Sequence, residues 1–168
     1  RAASLLDAVR ASVAVVGTTG RAVPGAWTPR RLADEADGLA GAGTLSLVFG
    51  SEASGLPVAE MNLCHALVHV PPDPAHPSLN LAPAVLLLAY EMRLAALAGQ
   101  GRPDADPTTG RTERAPAGEV EEAVSELRGA LLEVGYLDPQ GPDRVLTELR
   151  RLIARAGPTS REVVLLRG

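Results

Sequence analysis

Three loops rich in glycine, proline and small polar residues carry the side chains that could take part in chemistry. They are GTTGR at residues 17–21, GSEASGLP at 50–57 and PPDPAHPSLN at 71–80, and each follows a short run of β-branched residues. In an open parallel sheet, ligands bind beyond the carboxyl ends of the strands, where loops and helix N-termini present free backbone amides. Glycine lets the backbone approach a ligand closely, and proline stiffens a loop. We therefore expect the three loops to converge on one pocket.

Other chemistries fit these residues less well. GTTGR lacks the lysine and the spacing of a phosphate-binding P-loop, and the chain contains no GxGxxG motif. Ser54 has no partner histidine at an informative spacing, which disfavours a hydrolytic triad. Strand alternation sends His65 and His69 to one face and Cys64 to the other, and no fourth ligand follows. The sequence therefore predicts no metal site.

The elements that must position the loops alternate along the chain. Residues 12–17, 44–50 and 66–71 predict buried strands, because each is a β-branched run that ends in Gly or Pro. Helical patterns lie around and between them, with Pro29 at a first helical position. This alternation predicts an α/β fold with a parallel sheet. The predicted helices cover residues 5–10, 28–40, 58–64 and 79–97.

The chain then changes character. Residues 99–116 are rich in Gly, Pro, Thr and charge without apolar periodicity, which predicts a linker. Beyond the linker, apolar residues recur at helical spacing, and Thr159 with Glu162 has the spacing of a capping box. We expect an α/β domain at 1–98 and a helical tail at 117–168. The apolar positions predicted to face inward in the tail are Val120, Val124, Leu127, Leu131, Val134, Leu146, Leu149, Leu152 and Ile153.

Bulk properties limit the class of protein. The 168 residues are 46% hydrophobic with a net charge of −4, which fits a globular protein and is not a nucleic-acid signature. The longest apolar stretch, 81–90, falls short of the roughly 20 residues that cross a bilayer, so no membrane span is predicted. No secretory signal is evident, and the single Cys64 forms no internal disulfide, so a reducing cytoplasm is expected. Among the segments of the chain, only residues 142–168 carry a net positive charge, with six arginines against three acidic residues.

Two segments carry a family resemblance. LVFGSEASGLPVAEMNLC at 47–64 and VHVPPDPAHPSLNLAPAVLLLAYEMRLA at 68–95 resemble the second and third motifs of SpoU-type RNA ribose 2′-O-methyltransferases of the SPOUT superfamily. The VVGTTGR loop and residues 135–168 resemble the TrmJ branch, whose members methylate a ribose in the anticodon loop of transfer RNA. The resemblance covers nearly the whole chain and fades only in the linker.

The resemblance implies a homodimer whose α/β domain ends in a trefoil knot and binds S-adenosylmethionine there. Two further roles are implied: Arg21 would face the substrate, and the tail would help to grip transfer RNA through Arg144, Arg150, Arg151 and Arg155. The residues that would form the cofactor pocket are Thr18, Gly50, Glu52, Gly55, Leu56, Val70, Pro72, Ser78, Leu79 and Asn80.

Two questions stay open at the level of sequence. Asn80 heads an apolar helix, where it would act as a simple helix cap or would clamp one pocket loop against another. The family's first motif, with an asparagine and the main catalytic arginine, is expected upstream of Arg1. The chain is then either part of an active methyltransferase or a non-catalytic module that binds S-adenosylmethionine or RNA.

Overall fold

A three-stranded parallel sheet forms the centre of the protein. The computed structural model describes residues 2–71, 80–99, 113–138, 140–141 and 143–168. The strands β1 (Ala14–Thr19), β2 (Leu45–Val48) and β3 (Ala66–His69) lie in the order β2-β1-β3, and both pairings are parallel. This confirms the predicted α/β class. Strand β1 begins and ends two residues later than predicted, because its pairing with β3 continues through Thr18 and Thr19.

Helices cover the sheet on both faces. The first part of the chain contains α1 (Leu5–Val9), α2 (Pro29–Ala40), α3 (Val58–Met61) and α4 (Leu81–Gly99). Adjacent strand residues point to opposite faces. One buried cluster accordingly contains Val16, while the other contains Val15. The first cluster is completed by Ala14, Leu32, Leu39, Val68, Val70 and Leu88, and the second by Val9, Val48, Leu56, Cys64 and Ala117.

Helix α4 is apolar on the side that faces away from the domain. It packs against α2, where Leu88 is fully buried and Glu91 accepts a hydrogen bond from Arg30. In the part of the chain that the structure describes, α4 alone is long and apolar enough to cross a membrane, with a mean hydropathy of 1.6. The sequence-based prediction underestimated this helix, because its apolar character continues beyond Tyr90. One such helix is weak evidence for a span, since helices of soluble proteins share the property.

The tail forms three helices, of which the first contacts α1 and the other two pack against the first. They are α5 (Ala117–Glu133), α6 (Asp143–Ala156) and α7 (Ser160–Arg167). The start of α5 is fixed by two backbone bonds, from Ala117 N–H to Ser12 O at 2.8 Å and from Gly118 N–H to Arg10 O at 3.0 Å. A methyl group on Gly118 would lie 2.4 Å from Arg10 Cγ, so glycine permits this close approach. An ion pair between Arg10 and Glu122 adds to the junction.

The predicted capping box is confirmed, and two apolar positions are corrected. The Thr159 side chain accepts from the Glu162 N–H, and the Glu162 carboxylate accepts from the Thr159 N–H. Leu152 was predicted to face inward but is exposed, because it lies about 100° around α6 from the buried Ile153. Val134 is exposed because it follows the last turn of α5.

The environment of His65 predicts that folding is sensitive to pH. Its Nδ1 accepts a hydrogen bond from Val15 N–H at 3.1 Å, so the ring is neutral with its proton on Nε2. Burial, and then the positive charge of Arg114, lower the pKa of His65 below its ordinary value. The unfolded chain therefore binds the proton more readily than the native protein does. The stabilising effect of the neutral ring is complete above about pH 6.5 and declines as the pH falls towards the lower native pKa.

We expect the free energy of unfolding to decrease from pH 7 to pH 5, with His65 contributing at most about 1.4 kcal/mol per pH unit. His65→Asn keeps an acceptor for Val15 N–H but does not titrate, so its profile should be flatter by up to that amount. Urea denaturation at several pH values measures the difference. Identical slopes in the two proteins would contradict this assignment.

Candidate functional site

The first two loops meet at one cavity beyond the carboxyl ends of the strands. The cavity has a volume of about 470 Å³, within the range of small-molecule sites. The first two loops supply most of its wall, and the end of β3 and the start of α4 complete it. This confirms the predicted convergence for the first two loops, while residues 72–79 of the third loop lie outside the described residues. The lining residues are Thr18, Thr19, Gly20, Arg21, Val23, residues 50–56, Val58, Met61, Val70, Leu81 and Ala84.

Threonine side chains hold the first loop. Thr18 Oγ1 donates to Val48 O at 3.2 Å, which ties the end of β1 to the end of β2. Thr19 Oγ1 accepts from Arg21 N–H at 3.1 Å and donates to Arg21 O at 3.0 Å. A single hydroxyl therefore satisfies both backbone groups of Arg21. This fixes the backbone of the arginine at the edge of the cavity.

Glycines allow the second loop to fold tightly on itself. Gly55 has a φ of +72°, a conformation that favours glycine, and its N–H donates to Ser51 O at 2.8 Å. A methyl group on Gly50 would lie 2.0 Å from the Gly55 carbonyl carbon and 2.2 Å from Leu56 N. Only a residue without Cβ fits at position 50. The FG-x-E-x-x-GL spacing thus follows from the geometry of the turn.

Glu52 links the second loop to helix α4. Its Oε1 accepts from the Leu81 N–H at 3.2 Å. The first N–H groups of a helix have no partner within the helix, and a carboxylate at that end is favoured by the helix dipole. The Asn80 carbonyl accepts from Ala84 N–H, so Asn80 stands at the start of the helix. Among the described residues, Glu52 therefore makes the contact that holds the second loop against the start of α4.

The structure brings most of the predicted pocket residues together. Asn80 is described but is not among the cavity-lining residues. Pro72, Ser78 and Leu79 lie outside the described residues. Several apolar residues of the cavity wall were not predicted, because loop chemistry gave no signal for Val58, Met61 or Leu81. The predicted residues that line the cavity are Thr18, Arg21, Gly50, Glu52, Gly55, Leu56 and Val70.

The sulfur and imidazole groups near the site have structural partners. Burial raises the pKa of the Cys64 thiol to about 12, so it is not a thiolate nucleophile at neutral pH. Its Sγ donates to Glu60 O at 3.4 Å. His65 accepts from Val15 N–H, and His69 bonds to Thr19 O. Across the described ranges, no group of three or more His, Cys, Asp or Glu side chains is placed to hold a metal ion.

The arginines of the tail divide between two faces of α6. Arg144, Arg151 and Arg155 are exposed and recur at spacings of seven and four, so they form one stripe opposite the buried Leu146 and Ile153. This stripe is called the arginine ridge below.

Arg150 lies on the inward side of α6. It donates through Nε to Glu121 of α5 at 2.9 Å and makes a second bond through Nη2. The charge of Arg150 therefore serves the contact between α5 and α6. The sequence pattern had grouped it with the outward arginines.

Comparisons with known proteins agree on one family. The description "SpoU rRNA Methylase family" matches residues 2–90, and "tRNA methyltransferase TrmJ, C-terminal domain" matches residues 118–168. The chain is 37% identical to tRNA (cytidine/uridine/adenosine-2′-O-)-methyltransferase TrmJ of Pseudomonas aeruginosa, covering 98% of this chain and 68% of that protein. It is 35% identical to tRNA (cytidine/uridine-2′-O-)-methyltransferase TrmJ of Cronobacter sakazakii, covering 99% and 71%.

Solved structures agree with this result. The crystal structure of TrmJ from Z. mobilis ZM4 superposes with a TM-score of 0.79 at 28% identity, covering 99% of this chain and 69% of that one. A probable methylase family protein from Haemophilus influenzae superposes with a TM-score of 0.53 at 28% identity, covering 98% and 67%. Fold and cavity together define a domain of the SPOUT methyltransferase class. The chain belongs to the SpoU methylase family and, within it, to the TrmJ tRNA 2′-O-methyltransferases.

Proposed function

We propose that this protein transfers a methyl group from S-adenosylmethionine to a ribose 2′-hydroxyl in the anticodon loop of transfer RNA. The observation that carries the proposal is the cavity made by the loops after β1 and β2, the end of β3 and the start of α4, in a chain that belongs to the TrmJ family. The proposed setting is the cytoplasm. The proposed division is a methyltransferase domain at 1–98, a linker at 99–116 and an RNA-binding tail at 117–168.

The cavity suits the proposed cofactor in size and chemistry. A volume of about 470 Å³ matches a nucleoside with an amino-acid side arm. Its wall combines apolar side chains, such as Leu56 and Met61, with backbone polar groups of the two glycine-containing loops. The apolar residues would pack on the adenine ring, and the backbone groups would recognise its edge and the ribose.

The chain's own contribution to methyl transfer would be positional and electrostatic. When bound, S-adenosylmethionine supplies the methyl group that the ribose oxygen takes up by in-line displacement. The loop backbones would hold the donor in line with the acceptor, which is the largest effect that positioning offers. Arg21 at the cavity edge would contact a phosphate or ribose oxygen through its guanidinium and stabilise negative charge that develops on the ribose oxygen as its proton passes to solvent water.

A trefoil knot and a homodimer complete the proposed architecture. The Glu52 contact with Leu81 supports the knot, because it brings the segment after β3 against the loop after β2. The outer stripe of α4, formed by Leu86, Tyr90, Leu94 and Leu97, supports the dimer, because these apolar residues recur at helical spacing and are exposed in the single chain. The presence of Glu91 and Arg93 within α4 favours a protein partner over a bilayer. No membrane or metal partner forms part of the proposal.

The arginine ridge would contact the phosphate backbone of transfer RNA. Replacing Arg144 and Arg155 by glutamate should weaken transfer RNA binding about tenfold or more at 100 mM salt. It should also reduce the slope of log Kd against log salt by about one for each lost phosphate contact. Fluorescence anisotropy at several salt concentrations measures both quantities.

The matched control for the ridge is Arg128→Glu, which reverses an exposed charge on α5 and should leave the slope unchanged. Arg150 is unsuitable for this test, because its replacement would leave Glu121 unpaired at the helix contact. Equal salt-dependence slopes for the wild type and the ridge variant would show that the arginine ridge does not contact transfer RNA.

The direct test of the function is transfer of a labelled methyl group from S-adenosylmethionine to unmodified transfer RNA. The label should appear as a 2′-O-methylated nucleotide in the anticodon loop. A transfer RNA with a 2′-deoxynucleotide at the modified position should accept none. Binding of both partners without transfer would instead identify a non-catalytic module that holds cofactor or RNA.

A further inference from the structure

The loop that carries Arg21 is closed at both ends by one residue, His69, the last residue of β3. At the start of the loop, His69 Nδ1 lies 3.2 Å from Thr19 O. At its end, the His69 N–H donates to Trp27 O at 2.9 Å. The seven residues 20–26 between these contacts contain the Arg21 and Val23 positions of the cavity wall. This arrangement is called the His69 clasp below.

The hydrogen bond between the His69 ring and Thr19 O determines which ring nitrogen carries a proton. A carbonyl oxygen only accepts hydrogen bonds, so Nδ1 must carry a proton and donate it to Thr19 O. The Thr19 side chain in turn bonds to both backbone groups of Arg21. Thr19 therefore links the two, because its backbone carbonyl bonds to the His69 ring and its side-chain hydroxyl bonds to the backbone of Arg21.

The far end of the loop is anchored as firmly. Trp27 N–H donates to Leu67 O at 2.8 Å, so Trp27 pairs with β3 like a short edge strand. Its ring packs against the core, and the Arg31 guanidinium lies over it at 4.7 Å from the ring centre. Both ends of the loop are therefore fixed to the sheet, and the His69 ring supplies the side-chain tie at the end next to Arg21.

We infer that His69 is a positioning residue that holds Arg21 in its working orientation at the cavity edge. This inference rests on the proposed role of Arg21 and extends it to a residue that does not line the cavity. Without the ring contact, Thr19 O would lose its partner, and the loop would sample more conformations before substrate binds. Such preorganisation affects transition-state binding more than it affects folding.

The test compares His69→Leu, which removes the donor, with His69→Asn, whose side-chain amide can donate from the position of Nδ1. His69→Leu should lower kcat/KM for transfer RNA about tenfold, the loss of one hydrogen bond to a carbonyl. His69→Asn should stay within about twofold of wild type. In an Arg21→Ala background, His69→Leu should add almost nothing, because both changes remove the same interaction. Full additivity in this double-mutant cycle would overturn the inference.

A second readout needs no catalysis. Hydrogen–deuterium exchange of the amides in residues 20–26 should be faster in His69→Leu than in wild type or His69→Asn, while exchange in α2 stays the same. If the protein transfers no methyl group but exchange changes in this way, the clasp stands and the proposed function fails. If exchange in the loop is the same in all three proteins, the clasp itself is wrong.

Discussion

Gly50→Ala is expected to abolish binding of S-adenosylmethionine, with affinity lowered at least 100-fold. The added methyl group would lie 2.0 to 2.4 Å from the backbone of Gly55 and Leu56, and backbone atoms cannot swing aside as a side-chain end can. The turn at 50–56 must therefore open, which moves a large part of the cavity wall. Two cofactor-facing backbone contacts of about 1.5 kcal/mol each would account for a change of this size. Isothermal titration calorimetry measures it.

The control for this prediction is Gly38→Ala in α2. A methyl group there meets open space, and alanine favours a helix more than glycine does. This variant should bind the cofactor normally and be slightly more stable. A Gly50→Ala protein that remains folded and binds the cofactor within threefold of wild type would show that the tight turn is not part of the site.

The second large effect is expected on the outer stripe of α4. Replacing Leu86 and Leu94 by glutamate should weaken self-association at least 100-fold and convert a dimer into a monomer at micromolar concentration. Leu86 is 71% exposed in the single chain, and Tyr90 between the two leucines is 57% exposed. An apolar stripe of this kind is typical of an interface that is covered in the assembled protein. A charge placed there would be buried without a partner on association.

Sedimentation velocity over a range of concentrations measures the association. Leu165→Glu is the matched control, since Leu165 is 74% exposed on α7, away from the stripe, and its replacement should leave the dimer intact. The proposed interface would be rejected if the α4 variant sediments as wild type does. It would also be rejected if the wild-type protein is monomeric at about 50 µM.

The sheet and its loops could be predicted from the sequence, because local signals agree with the tertiary structure there. Three β-branched runs, each ended by Gly or Pro, became three parallel strands, and the loops after the first two line one cavity. Pro29 at the start of α2 and the capping box at Thr159 were equally clear. In these places the residue type fixes the backbone, whatever packs around it.

Other features depend on distant partners that no local pattern reveals. Glu52 takes its role from Leu81, 29 residues away, and Arg150 takes its role from Glu121, also 29 residues away. Both pairs exist only because separate segments meet in the fold. The spacing of the arginines along α6 distinguishes the arginine ridge from Arg150 only once it is known which face of the helix packs inward. His69 likewise looks like an ordinary strand residue until its ring is seen against Thr19.

The most direct test is a crystal structure of this protein with S-adenosylmethionine. We expect the cofactor in the cavity between the loop of Thr18 to Val23 and the turn at 50–56, with its adenosine against Leu56 and Val70 and its methyl group towards Arg21. A structure in which the cofactor is bound elsewhere and this cavity is empty would contradict the proposed site.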